Sequence, residues 1–346
     1  MTLAVGICVA ATGAARAEDA RMLLARGARL MSEGDLGGAE AAFTGAIKAD
    51  PKDPRGHYQR GVCRERRKNV ASAMADYREA IRRDKRFAEA YNNLGALLQE
   101  RGKAAEALVH LREAVRHKPD YAEAWYNLGL VHFGQGQLSE AAKAYRRAAR
   151  LRPRDVDIRI NLGGVLHRLN DVPGALKQLR LAVELKPKDA LARLNYGRLL
   201  AEAGRIDEGI AAIERAARID PKQPAIWEHR ARLSARKGAY ADAIAVLERG
   251  QKHLPRSATL RCTMGKVYRK WGKTKEAIAA YRACAKLDPR SATPHLLIGL
   301  AHAAAGKCPA AKRSFATYVR RQKGLPKGTL DKLNARCGGG DKGPRK

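Results

Sequence analysis

Across residues 122–155, AEAWYNLGLVHFGQGQLSEAAKAYRRAARLRPRD, apolar and small residues return at helical spacing. Trp125, Leu128, Gly129 and His132 share one face of a first helix, and Gly136 interrupts it. Ala141, Tyr145 and Ala148 share a face of a second, and Pro153 closes the segment because proline cannot continue a helix interior. Small residues at 129, 141 and 148 let two backbones approach, and the large ones at 125, 128 and 145 fill the space beside them. The segment therefore predicts a hairpin of two helices.

The hairpin recurs. Pro51, Pro119, Pro153, Pro187, Pro221, Pro255 and Pro289 are separated by 34 or 68 residues, with Lys85 in the one gap. A second series runs Gly27, Gly61, Gly95, Gly129, Gly163, Gly197, Gly265 and Gly299, with Ala231 in the missing slot. A third runs Gly34, Gly102, Gly136, Gly204, Gly238, Gly272 and Gly306. A fixed period of this length marks an array in which each unit buries its apolar face only against its neighbours. The frame has nine repeats, starting at 20, 54, 88, 122, 156, 190, 224, 258 and 292.

The aromatic, Leu-Gly, Tyr, Ala, aromatic, Ala, Pro series resembles the tetratricopeptide repeat. Departures are Lys85 and Lys323 at the proline position, Gly209 at a usual Ala, Ser234 at a usual Tyr, and Tyr318 at a usual Ala. The resemblance implies an all-α, right-handed superhelical solenoid of antiparallel hairpins over residues 18–325, its first helices lining a concave groove. A capping helix is expected at 326–337 and a basic tail at 338–346.

Within the frame, Asn93, Asn127, Asn161 and Asn195 all occupy position 6. At about 100° per residue this position points away from the face that packs inside the hairpin. It joins positions 2, 9 and 13 on another stripe. A side-chain amide offers donors and an acceptor, so such a ladder suits an extended peptide backbone. It is similar to the ladder in the superhelix of the O-linked N-acetylglucosamine transferase, whose catalytic domain has no counterpart here. The alternative role is bonding between neighbouring repeats. Tyr126, Leu130 and Phe133 add apolar contact beside the ladder, and Arg198, Arg232, Arg236, Lys266, Arg269 and Lys270 make the later part cationic. The expected function is a non-catalytic scaffold for extended peptide segments, with acidic segments favoured. The chaperone-tail carboxylate clamp does not fit, because positions 5 and 9 hold Tyr126 and Leu130, or Asn92 and Ala96.

Charge adds a competitor. The chain carries net +33, and residues 258–346 hold 21 Lys or Arg against 4 Asp or Glu. A binder of anionic polymer, nucleic acid or acidic envelope glycan, is therefore the alternative reading. Basic residues are not interleaved with aromatics for base stacking, which disfavours nucleic acid. Residues 1–17, MTLAVGICVAATGAARA, are small and apolar and end in a signal-peptidase-like Ala15-Arg16-Ala17. They point to export to a periplasmic or extracellular space, or to the cytoplasm if the segment is not a working signal. They are too short for a transmembrane span.

Cys308 precedes the last repeat helix and Cys337 ends the expected cap, making them a candidate disulfide; the alternative is two unrelated thiols. Cys262 and Cys284 lie level across one hairpin, but Cys also serves as a small core residue, and that reading is preferred for them. Cys63 is expected to be a buried thiol. No Cys/His spacing fits a metal, no cofactor motif is present, and GKVYRKWGKT at 265–274 has six residues between its glycines where a phosphate loop needs four. His57, His132, His295 and His302 fall in structural slots of the repeat. Neither an enzymatic site nor a small-molecule substrate is expected.

Overall fold

A computed structural model of the chain describes residues 2–322. The expected cap at 326–337, the tail at 338–346 and the Cys308–Cys337 pairing lie outside the described residues. The described part divides into two compact units, one running to Gln178 and the other starting at Leu179.

In the first unit the helices are α1 (Thr2–Ser32), α2 (Leu36–Ala49), α3 (Pro54–Arg66), α4 (Val70–Arg83), α5 (Ala88–Glu100), α6 (Ala104–His117), α7 (Ala122–Gly134), α8 (Leu138–Leu151) and α9 (Val156–Arg168). α10 (Val172–Leu185) contains the division. The second unit continues with α11 (Ala190–Glu202), α12 (Ile206–Ile219), α13 (Pro224–Arg236), α14 (Tyr240–His253), α15 (Ala258–Lys270), α16 (Thr274–Leu287), α17 (Thr293–Ala304) and α18 (Cys308–Arg321). Short turns join successive helices, so neighbours run antiparallel. α1 continues without a break from Thr2 through residue 17 into the first repeat.

The two glycine series serve different ends. At position 15 the backbone is left-handed, with φ between 68° and 87° at the seven glycines. The residue closes the first helix in the conformation that costs glycine least. Lys68 and Asn170 hold the same slot at φ 62° and 64°. Position 8 is a close approach instead. A Cβ on Gly129 would sit 2.6 Å from the Tyr145 ring, and one on Gly61 2.7 Å from Tyr77. Around these contacts Tyr77, Leu94, Leu98, Leu111 and Tyr145 are fully buried in the first unit, and Ile213, Ile226, Leu247, Leu260 and Tyr281 in the second.

Second helices start where Asp35, Asn69 and Asp171 accept backbone N–H bonds. Asp53, Asp155, Asp189 and Ser257 do the same for first helices. Such caps satisfy donors that the helix itself leaves open.

Three repeats replace the usual apolar residue at position 7 with arginine; Arg26 is exposed, and the other two are seated by acids. Arg60 reaches buried Asp76 at 2.8 Å, and Arg64 adds a second contact to it at 2.9 Å. Arg230 reaches Glu214 at 2.8 Å and Asp242 at 3.1 Å, and also contacts Ser234. Ser234 donates to Asp242 at 2.6 Å. The departure at Ser234 thus has a partner: a tyrosine there would displace the polar network that seats Arg230.

One cysteine expectation is corrected. Cys262 and Cys284 form a disulfide joining α15 to α16, with Cα atoms 5.3 Å apart, inside the ordinary range for such a bridge. The antiparallel hairpin brings positions 5 and 27 level and close enough to bond, so they are not merely small core residues. Cys63 is a buried free thiol whose Sγ lies 3.1 Å from the Leu36 carbonyl oxygen. Burial, then Glu40, pushes its pKa up, which keeps it protonated.

Candidate binding surface

The position-6 residues make a regular set of bonds. Asn161 donates its amide to the Tyr126 hydroxyl at 2.9 Å. Asn127 donates to the Asn92 side-chain oxygen at 2.9 Å. Asn93 donates to the Tyr77 hydroxyl at 3.3 Å and the Tyr58 hydroxyl at 3.5 Å, and its own oxygen accepts from Asn92. In the second unit Thr263, also at position 6, donates to Glu228 at 3.3 Å. Asn161–Tyr126, Asn127–Asn92, Asn93–Tyr58 and Thr263–Glu228 each span 35 residues. A position-6 donor therefore meets a position-5 acceptor one repeat earlier.

This spacing changes the reading of the asparagines. Three of the four amide nitrogens stitch neighbouring repeats together, the second of the two roles expected for them, and they are half-buried rather than standing free. Asn195 is half-buried on α11, and the residue 35 places before it is Ile160, which has no acceptor. Of the position-5 acceptors, Tyr58 and Glu228 were not singled out from sequence, Tyr126 was read only as apolar contact, and Asn92 only as a clamp position that does not fit. The 35-residue pairing of amide with hydroxyl, amide or carboxylate is the signal that could have found them.

Other residues of the stripe remain open. In the first unit Leu130 is half-buried and Phe133 is exposed, with the Arg168 guanidinium 4.9 Å from its ring centre. Tyr126 and Asn127 line a cavity of about 230 Å³ between α7 and α9, with Glu123, Asp155, Asp157 and Arg152. Arg152 lies 4.0 Å from Glu123, and Asp155 caps α9 through the Ile158 N–H at 3.1 Å. Glu123 and Asp157, first-turn acids that suit the helix dipole, also set the charge of this cavity.

The second unit presents a cationic counterpart. Arg198, Arg232 and Arg236 converge on a cavity of about 250 Å³, with Glu202, His229 and an apolar wall that includes Ile213 and Leu233. Arg236 donates to the Ala201 carbonyl at 3.2 Å, and Arg232 is held by Glu228. Arg198 has no hydrogen bond or ion pair among the described residues. Burial pushes the His229 pKa down, with Arg198 and Arg232 adding to it and Glu228 and Glu202 opposing. Lys266, Arg269 and Lys270 are exposed on α15 and do not line this cavity.

Among the described residues no group of three His, Cys, Asp or Glu side chains is placed to hold a metal, and no helix is long and apolar enough to cross a membrane.

No curated protein matches the sequence. Among solved structures, Pseudomonas aeruginosa pilF covers 63% of this chain and 99% of its own at 22% identity, with a TM-score of 0.57; the likeness speaks for the fold. A tetratricopeptide repeat protein from Parabacteroides merdae covers 82% of this chain and 99% of its own at 19% identity, with a TM-score of 0.49. YrrB, described as a TPR protein with an unusual peptide-binding site, covers 53% of this chain and 95% of its own at 27% identity, with a TM-score of 0.47. A tetratricopeptide repeat model matches residues 24–86, 92–155, 131–190, 168–224 and 194–258, and a TPR repeat model matches 265–306. The hairpins, the 34-residue period and these matches agree, and the chain belongs to the tetratricopeptide repeat family.

Proposed function

We propose that this protein is a non-catalytic scaffold that binds extended segments of other proteins along the stripe formed by its first helices. The observation that carries this reading is the placement of the two cavities. Each unit has one between successive first helices, and each is lined by charged side chains beside apolar ones. Cavities of about 230 and 250 Å³ take single side chains of a partner rather than a folded surface. The amide ladder supports this indirectly by fixing the register of the helices between which those side chains would insert.

The Cys262–Cys284 disulfide supports export, since such bridges persist in oxidising compartments. A periplasmic or extracellular location is the corresponding proposal.

The test is a peptide library screened against the full chain, with hits remeasured on Tyr126→Ala/Phe133→Ala and on Arg198→Gln/Arg232→Gln. A real binding stripe loses at least about tenfold in affinity for one of the two pairs. Hits that bind both variants as tightly as the parent overturn the reading. Sequence-indifferent binding with a steep salt slope favours instead an anionic polymer on the basic C-terminal end.

A further inference from the structure

We infer that the cavity of the second unit is a seat for one carboxylate of a bound segment, held between Arg198 and Arg232, with His229 joining as a proton-linked donor. The inference deepens the segment-binding reading above and rests on it for the partner's class.

The charge count selects the ligand. Three guanidinium groups line the cavity, while Glu202 lines it and Glu228 stands behind Arg232. The surplus is one positive charge, which matches a single carboxylate better than a phosphate dianion. The three arginines are not equally available. Arg236 is anchored on the Ala201 carbonyl. Arg232 is held by Glu228, which also accepts from Thr263 of α15. Arg198, half-buried and without a hydrogen bond or ion pair among the described residues, lines the cavity, and a guanidinium suits bidentate carboxylate contact. Ile213 and Leu233 exclude water from part of the wall, which strengthens each charge contact. These arginines occupy position 9 of two successive repeats, so the seat does not use the position-5 and position-9 pairing of the chaperone-tail clamp.

His229 makes the seat pH-sensitive. The charged groups acting on it are Arg198 and Glu202 of α11 and Arg232 and Glu228 of its own helix. α12 contributes apolar Ile213 to the cavity, and Thr263 of α15 donates to Glu228 behind it. Empty, the cavity disfavours the imidazolium, because burial and then the two arginines push its pKa down. A carboxylate seated there offsets the arginines and stabilises the imidazolium, so binding raises the His229 pKa. By linkage, affinity is greatest below the free value and falls as pH rises through the bound one.

The experiment uses the full chain and a fluorescein-labelled, end-capped oligoglutamate peptide, with anisotropy read at about pH 5.5 and about pH 8. The controls are a capped oligoglutamine peptide, an oligoglutamine peptide with a free C-terminus, and oligothymidylate. The free-ended peptide tells a chain terminus from a side chain as the source of the carboxylate. Because the whole chain is basic, Arg198→Gln/Arg232→Gln is compared with the charge-matched Lys143→Gln/Arg180→Gln, whose side chains are well exposed outside the cavity. The expected result is at least about tenfold weaker oligoglutamate binding in the cavity variant and less than about twofold in the control. Binding to the parent tightens about threefold or more on acidification, and His229→Gln loses that step. Equal losses in the two charge variants, a pH step that survives in His229→Gln, or an equal site-dependent loss for oligothymidylate overturns the inference. Separately, sodium acetate alone should move the NMR titration of His229 to higher pH, and no movement overturns the seat. An acetate shift with no peptide binding upholds the seat and removes the segment-binding reading.

Discussion

Asn161 donates its side-chain amide to the Tyr126 hydroxyl, one repeat and one residue earlier, at 2.9 Å. The bond ties α9 to α7 beside the charged cavity that Tyr126 lines. Asn161→Ala and Tyr126→Phe should each cost about 1 kcal/mol in urea unfolding. The double variant should cost clearly less than the sum, because the two residues share one interaction. Additive losses would show that the amide acts elsewhere.

Gly129 faces the Tyr145 ring so closely that a methyl group has no room. Gly129→Ala should destabilise the array by about 1–3 kcal/mol through overpacking. Gly136→Ala meets no atom within 4 Å but has φ 74°, so its cost comes from backbone strain and should be about 1 kcal/mol. Adding Tyr145→Leu should recover part of the first loss and none of the second, as thermal melts of the two pairs would show.

Asp76 is 4% exposed and carries the polar cluster of the second repeat. Burial alone would raise its pKa; contacts from His57, Arg60 and Arg64 outweigh that and hold it below the usual carboxylate value. Because the folded-state value is depressed, the stabilisation is full above the ordinary Asp pKa of about 3.9 and is lost as pH falls through the native value. Asp76→Asn should therefore cost about 3–5 kcal/mol near neutral pH, since it strands Arg60, while Arg64 keeps Glu40 at 2.8 Å. The gap from the parent should close under acid. A gap that stays constant down to about pH 2 would refute the charge argument.

Arg230 is 8% exposed and sits where the repeat otherwise uses an apolar residue. Replacing it by leucine leaves Glu214 with Arg249 at 2.8 Å, and Asp242, which loses its pairing with Arg230, has a half-exposed side chain that water can solvate. Arg230→Leu combined with Ser234→Tyr restores the apolar pair that the family favours at positions 7 and 11. The double variant should be neutral or more stable by about 1–4 kcal/mol. Ser234→Tyr alone should be destabilising, because Arg230 then loses its seat. Equilibrium unfolding of the three proteins distinguishes these outcomes.

The fold was legible in the sequence because the constraints repeat. Position 8 needs a small residue under Tyr145 and Tyr77, and position 15 needs a left-handed turn, so both rulers recur every 34 residues. The binding stripe was legible only in part. Arg198, Arg232 and Arg236 were found from their periodic placement, and the structure brings them to one cavity. The asparagines were harder, because their partners sit 35 residues away and differ in type: a tyrosine, an asparagine or, for Thr263, a glutamate. The role of Asp155 in the cavity of the first unit was hidden for another reason. An acid at a helix start satisfies a local need, and nothing in its spacing shows that a neighbouring repeat shares it.

The Cys262–Cys284 bridge closes a segment with a sequence separation of 22 between the two helices of one hairpin. Loop-closure entropy for a segment of this size corresponds to about 3 kcal/mol. In a linear array each repeat depends chiefly on its neighbours, so reduction should act locally. Hydrogen exchange should accelerate in α15 and α16 on adding a reductant, while α5 to α8 of the first unit keep their protection. Cys262→Ala/Cys284→Ala should reproduce the reduced pattern and no longer respond to reductant. Exchange that is identical before and after reduction would mean that the hairpin is held by its core, around Tyr281 and Leu260, without help from the bridge.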